Sequence, residues 1–330
     1  MTFCPDRLPS PLLAVRGLAT SKTHVVEPVR QVSDQHVIVR AGPSRAAPSY
    51  CVRLFHSPGL NRMPASALMN VMMTAARKAG RSLSRDFGEV EQLQVSVKGP
   101  ANFVSAADHR AEDIIYKELL KARPGYGFLM EERGLVEGVD KTHRWIVDPL
   151  DGTTNFLHSI PLFTISIALE REGQLVAGLI YNPISDELYT AEKGKGAFLN
   201  DRRRLRVAAR RNLNDTVVAT GIPHRGRPGH KLFRRELTAT MEHVAGVRRT
   251  GSAALDLAWT AAGRFDAFWE RNLKPWDMAA GIVMVREAGG LVSDLSGADQ
   301  MLENGHILAT NGTLAKELLP VIQSAQDTAV

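Results

Sequence analysis

Two aspartates three residues apart, Asp148 and Asp151, follow the apolar run Trp145-Ile146-Val147 and precede Gly152, Thr153, Thr154, Asn155 and Phe156. An apolar strand thus delivers two carboxylates into a turn, and small hydroxyl residues then open a helix. Asp-Pro and Asp-Gly are both turn dipeptides, so a plain turn accounts for the tetrapeptide taken alone. The reading with chemistry in it is a hard-cation site: the two carboxylates and the Leu150 carbonyl offer oxygen ligands to Mg²⁺, which takes them octahedrally. In that reading the amides of Gly152, Thr153 and Thr154 receive a phosphate, as helix N-termini do.

Two further acids bear on the choice. Glu131 and Glu132 end the apolar run Phe128-Leu129-Met130, where acids are commonly solvated, and Asp277 stands at the start of an apolar helix, where Asp is a preferred N-cap. If these acids meet in one cleft they repel one another, and their pKa values rise unless cations occupy the middle. A metal cluster makes such a gathering physically reasonable.

The elements that must position these residues read as α first, then mixed. Leu68, Val71, Met72, Ala75, Ala79 and Leu83 recur at helical spacing, ending near Gly88; Ala111, Ile114, Ile115 and Leu119 mark a second helix. Strands are predicted at 127–131 and 144–148, and Phe163, Ile165, Ile167 and Leu169 alternate as a half-buried strand that Gly173 turns into a partner over 175–181. Hairpin material follows at 187–190 and 194–207. Beyond 212, strands (216–220, 265–270, 291–294, 307–309) alternate with helices (230–244, 253–262, 277–288 and one from 313). This pattern predicts two sheet-plus-helix halves, 63–211 and 212–330, sharing a cleft.

Of 330 residues, 44% are hydrophobic and 23% charged, which excludes disordered, collagenous and disulfide-scaffold chains. No stretch is both long and apolar enough to span a bilayer. The net charge of +6 points towards nucleic acid until it is located. Residues 1–62 hold eight basic and three acidic side chains, +5 of that +6, with both cysteines and seven of the 17 prolines. That segment reads as a basic leader: a flexible extension, a transit segment, or translation from too early a start, since Met63 immediately precedes the first patterned helix. A body without cysteine fits a reducing compartment, and we expect a cytoplasmic protein.

From about residue 63 to the C-terminal helix the chain resembles the inositol monophosphatase family of Mg²⁺-dependent, Li⁺-sensitive phosphatases, in particular its bacterial SuhB-type branch. Two segments carry the resemblance, 145–156 and 276–290, and together they are specific. It implies an α/β (α+β) layered αβαβα sandwich like that of inositol monophosphatase and fructose-1,6-bisphosphatase. It implies metal ligands at Glu131, Asp148, the Leu150 carbonyl, Asp151 and Asp277, for two to three Mg²⁺ per site. Thr153 would orient the attacking water with Glu131. Asp151, Gly251, Ser252, Ala253 and Glu270 would contact substrate hydroxyls, and Lys98 and Asp108 would border the outermost ion. The implied reaction is in-line hydrolysis of inositol-1-phosphate or a related polyol phosphate, in a homodimer. Histidinol phosphate and fructose 1,6-bisphosphate are the alternative substrates within the family.

Two departures stand out. Met130 occupies a position where the family usually has Gly, before the loop presenting Glu131, and Asn102 one where Asp is common. No nucleophilic side chain is needed, so His158 and His224 read as structural or solvated. Arg202, Arg203, Arg204 and Arg206, with Arg248 and Arg249, read as a charged hairpin and a solvated strand end, or as patches for RNA or RNA polymerase. Some SuhB-type members resemble partners of the rRNA transcription machinery. The body's +1 does not support a nucleic-acid face.

Overall fold

The computed structural model describes residues 65–89, 95–99 and 102–327. The leader read at 1–62 lies outside the described residues. Ser66 opens helix α1 (Ala67–Phe87) by accepting the Met69 amide at 3.0 Å, and α1 buries Met72, Ala75, Ala79 and Leu83 of the stripe that the spacing predicts. A hairpin, β1 (Val95–Gly99) with β2 (Asn102–Ser105), leads into α2 (Ala106–Ala122). Its N-terminus is closed by a capping box: Ser105 Oγ accepts the Ala107 amide at 3.1 Å, and Asp108 Oδ2 accepts the Ser105 amide at 2.8 Å.

The chain then runs through β3 (Tyr126–Met130), β4 (Gly134–Val136), β5 (Asp140–Asp151), the single turn α3 (Thr153–Leu157) and a meander. The meander is β6 (Thr164–Arg171), β7 (Gln174–Asn182), β8 (Glu187–Glu192), β9 (Gly196–Leu199) and β10 (Arg203–Arg204). These strands make one eight-stranded sheet ordered β10-β9-β8-β7-β6-β5-β3-β4, antiparallel except for the β3–β5 pair. Next come β11 (Val217–Thr220), α4 (His230–Met241), β12 (Gly246–Arg248), α5 (Ala253–Ala261) and β13 (Ala267–Glu270). The chain finishes with α6 (Pro275–Glu287), β14 (Leu291–Ser293), α7 (Met301–Asn304), β15 (Ile307–Thr310) and α8 (Gly312–Asp327). The second sheet has five strands, β12-β11-β13-β15-β14, with β11 parallel to β12 and β13, and β15 antiparallel to its neighbours.

Strand alternation decides the layers. On β5, Trp145 and Val147 turn towards α1 and α2, while Ile146 between them turns to the opposite face, against α5 and α6. The same cluster joins α5 and α6 to Ala219, Phe268, Ile307 and Ala309 of the small sheet. The far face of that sheet packs Val218, Ala267, Trp269 and Leu308 on Phe233 of α4 and on Leu318 and Ile322 of α8. The result is the expected αβαβα sandwich. Because α6 lies between two sheets, it is buried from Met278 to Val285 without a polar face. Its approach to the large sheet is close: a Cβ on Gly178 of β7 would lie 2.5 Å from the Ala280 carbonyl oxygen.

Boundaries shift where tertiary pairing overrides local pattern. The strand predicted at 127–131 stops at Met130, leaving Glu131 as the first residue of a turn, and the one at 144–148 extends over Asp140–Asp151. β4, β12 and α7, of three, three and four residues, are too short to show a period. No helix among the described residues is long and apolar enough to cross a membrane.

Candidate active site

The pairing of β5 with β6 builds the centre. Asp148 faces Ser166 and Asp151 faces Thr164, so β5 takes three steps where β6 takes two. Residues three apart in a regular strand point to opposite sides; the extra residue, beside Pro149 with no amide for the ladder, cancels that alternation. One carboxylate oxygen from each of Asp148, Asp151 and Asp277 lies within 4.8 Å of the others.

Each acid is held by a neighbour. The Leu150 amide donates to Asp148 Oδ1 at 2.9 Å. Ser252 Oγ and the Ala254 amide, at the start of α5, donate to Asp151 Oδ2 at 2.6 and 2.7 Å. The Lys274 amide donates to Asp277 Oδ2 at 2.8 Å, so Asp277 closes the N-terminus of α6 behind Pro275. Thr153 Oγ1 donates to Asp108 Oδ1 and to the Leu150 carbonyl, each at 3.1 Å. The chain reaches Thr153 through Gly152, whose φ of +96° suits glycine.

Glu131 arrives from the other side. β3 runs parallel to β5 as far as the Met130–Val147 pair, and the Glu131 amide donates to the Val147 carbonyl at 3.2 Å. That sets Glu131, the first residue past the sheet, next to Asp148. Met130 is fully buried in the α1–α2 cluster, so the departure at this position is absorbed on the core face. Glu112 of α2 accepts the next two amides, of Glu132 at 2.8 Å and of Arg133 at 3.3 Å.

Burial and like charge act together here. Burial, then the charges of Glu131, Asp151 and Asp277, holds the Asp148 carboxyl well above the usual carboxylate range. Burial raises Asp151 to about 6 against the hydrogen bonds from Ser252 and Ala254. It raises Asp277 to about 7, with Asp151 adding to the effect. Glu270, at the end of β13, is pushed to about 8 by burial and by the charges of Asp277 and Asp151, opposed by Arg227 and Arg249. Burial also raises Asp108, against its hydrogen bonds from Ser105.

The remaining sequence candidates fall as follows. Gly251, Ser252 and Ala253 form the entry to α5, where Ser252 Oγ is committed to Asp151. Lys98 lies in β1, at the pairing irregularity between Val97 and Gly99. His158 is exposed, and His224 Nδ1 lies 2.9 Å from the Arg225 carbonyl oxygen. Arg202, Arg203, Arg204, Arg206, Arg248 and Arg249 are all exposed.

Three neighbours of the centre escape a reading of the sequence. Asn155 Nδ2 donates to the carbonyls of Leu162 and Thr250 at 2.6 and 2.8 Å, tying α3 to the entry of α5. Asp256 is buried in α5, and desolvation holds its carboxyl well above the usual range. Glu112 is the third. Its one signal is an acid next to Ala111 on a helix whose apolar face is otherwise clear.

The donor set fits a hard divalent cation. It is all oxygen, and its acids, Asp148 buried and Asp151 and Asp277 half-buried, repel one another in a way that a central positive charge relieves. The inositol monophosphatase family model matches residues 65–327. The inositol-1-monophosphatase of Mesorhizobium japonicum is 65% identical over 261 residues, 79% of this chain and 98% of its own. Nus factor SuhB of Pseudomonas aeruginosa is 42% identical over 260 residues, 78% of this chain and 96% of its own. The crystal structure of extragenic suppressor protein suhB from Bartonella henselae superposes with a TM-score of 0.76 at 60% identity, covering 78% of this chain and 99% of that one. With the family model spanning most of its length and such relatives on either side, the chain belongs to the inositol monophosphatase family of phosphatases.

Proposed function

We propose that the chain hydrolyses inositol-1-phosphate and related sugar or polyol phosphomonoesters to alcohol and phosphate, by in-line attack of water with two to three Mg²⁺ per site. The observation carrying this reading is the convergence of Asp148, Asp151 and Asp277 within 4.8 Å despite the repulsion it costs. The substrate class draws on the relative named inositol-1-monophosphatase, 65% identical.

Glu131, Asp148, the Leu150 carbonyl, Asp151 and Asp277 would hold the ions. When bound, these supply Lewis-acid polarisation of the phosphoryl oxygens and a more acidic water. Thr153 commits its hydroxyl proton to Asp108 and the Leu150 carbonyl, so its oxygen lone pairs accept a hydrogen bond from the attacking water and orient it. The amides of Gly152, Thr153 and Thr154 take the phosphate. Asp151, the 251–253 loop and Glu270 meet the hydroxyls of the alcohol, a carboxylate being a natural acceptor for them. Lys98 and Asp108 would border the outermost ion.

Phosphate release from a panel including inositol-1-phosphate, histidinol phosphate and fructose 1,6-bisphosphate tests the reading. The expected profile is greatest kcat/KM on inositol-1-phosphate, none in EDTA, inhibition by millimolar Li⁺ and no productive replacement by Ca²⁺, which prefers more ligands at longer distances. Full activity in EDTA overturns it. A cytoplasmic homodimer is proposed with it, from the absence of cysteine beyond residue 62 and from the family resemblance.

A second reading, contact with the transcription machinery, draws on the relative named Nus factor SuhB and on the exposed Arg202, Arg203 and Arg204. It is tested by whether an Asp148→Asn variant, inactive as a phosphatase, still binds RNA polymerase in a salt-dependent way.

A further inference from the structure

We propose that Glu112 is a positioning residue for the metal centre: its carboxylate holds the turn after β3 in the shape that presents Glu131 to Asp148 and Asp151. This rests on the reading of Glu131 as a metal ligand given above.

The turn leaves the sheet at Glu131, whose amide is taken by the Val147 carbonyl. The next two amides, of Glu132 and Arg133, have left the β3–β5 ladder and meet Glu112 Oε2 instead, at 2.8 and 3.3 Å. Glu132 is half-buried and Arg133 exposed, so the buried partner is the acceptor: a carboxylate out of water needs donors, and these two amides meeting one of its oxygens fix the course of the backbone over two residues. Glu112 is only 2% exposed, and burial pushes its pKa up against those two amides and the Arg133 charge. Its helix buries Ala107, Ala111, Ile115 and Leu119 nearby, so an apolar side chain at 112 would serve packing alone without the desolvation cost.

Two further contacts set the frame. Asp108 lies one helical turn before Glu112 and accepts from Thr153, so one face of α2 grips both the β3 turn and the start of α3. From outside, Arg133 closes the turn: its Nε lies 3.6 Å from Glu112 Oε1, its Nη2 pairs with Asp113, and its guanidinium stands 4.5 Å over the Tyr116 ring. The anchor proposed is the accepting oxygen, not the ion pair.

The experiment titrates Mn²⁺ into the full chain without substrate, reads free Mn²⁺ by electron paramagnetic resonance, and records a thermal melt of each variant. Glu112→Asp keeps the charge but withdraws the oxygen by one methylene. Glu112→Gln keeps the reach and loses the charge. We expect Glu112→Asp to weaken Mn²⁺ binding about tenfold, the usual scale for groups that orient ligands, and Glu112→Gln to stay within about threefold of the wild type. Arg133→Ala should bind as the wild type does. Wild-type Mn²⁺ affinity in Glu112→Asp overturns the inference, as does a Gln variant weaker than the Asp variant, which would make charge the cause. Glu131→Gln separates the levels. If it leaves Mn²⁺ affinity unchanged, the ligand reading itself falls; if it weakens binding and Glu112→Asp does not, only the role of Glu112 falls.

Discussion

Ser166 Oγ donates to the Trp276 carbonyl at 3.0 Å, and Ser166 is the register partner of Asp148 on β5. One serine therefore joins β6, the strand paired with the one that carries Asp148, to the helical turn that carries Asp277. Replacing it with alanine should cost about 1 kcal/mol of stability, the usual net worth of such a bond. A melt shift of about 2–4 °C would follow for a domain of this size, with a fall in kcat that exceeds what the melt accounts for. Unchanged kcat at saturating Mg²⁺ would show that the bond serves packing alone.

Asp148→Asn and Asp277→Asn should each remove at least about a hundredfold of turnover while leaving a folded protein. In both, the remaining amide oxygen can still accept from Leu150 or Lys274. Because each substitution deletes one of several repelling charges, the metal-free variants should melt at or above the wild-type temperature. Loss of fold in place of loss of activity would make these acids structural.

The raised carboxyls fix the direction of the pH dependence. A carboxylate whose folded pKa exceeds its unfolded value favours folding most below the unfolded value, and loses that contribution as pH rises through the folded one. With Asp151 at about 6, Asp277 at about 7 and Glu270 at about 8, metal-free protein should lose stability steadily from about pH 4 to pH 8. Calorimetry in EDTA should show a melt lower at pH 8 than at pH 5, on the order of 5 °C. Added Mg²⁺ should restore most of the difference at pH 8 and little at pH 5. A flat profile in EDTA would contradict the electrostatic account of the cluster.

Gly178→Ala should be among the most disruptive single-methyl changes. The new Cβ would meet the Ala280 carbonyl oxygen at 2.5 Å and its Cα at 2.9 Å, backbone atoms that cannot swing aside. Overpacking of this kind costs about 1–3 kcal/mol. Since it pushes α6 from the sheet, KM for Mg²⁺ should rise along with the loss in denaturant midpoint. Gly312→Ala, at the start of α8 with open space around it and an ordinary backbone, provides the control.

A chain starting at Met63 should melt and turn over substrate as the full chain does, since the family model begins at residue 65. A melting temperature several degrees lower would place part of the leader on the body.

The site was readable where chemistry is local in sequence. Asp148 and Asp151 share one segment, and Asp277 opens an apolar helix, so residue type and neighbours announce them. Their convergence was implied by the family resemblance and not by spacing, because it depends on an extra residue in the β5–β6 ladder that no periodicity reveals. Glu112 was hidden for a related reason: its partners are backbone amides twenty residues on, and amides have no letter in the sequence. Helices α1 and α2 showed their faces plainly. α5 and α6 did so less well, since a helix packed on both sides has no polar stripe to date its period against.

Helices α5 and α6 sit between the two sheets in one apolar cluster, and this has a kinetic consequence. Asp148 and Asp277 are separated by about half of the domain's length, and they meet only after both sheets have closed on the same pair of helices. Long-range closure of that kind slows folding. A cation gripping both acids would act as a late-fastening staple, slowing unfolding while leaving the earlier collapse untouched. Saturating Mg²⁺ should then lengthen the native lifetime far more than it shortens the time to fold.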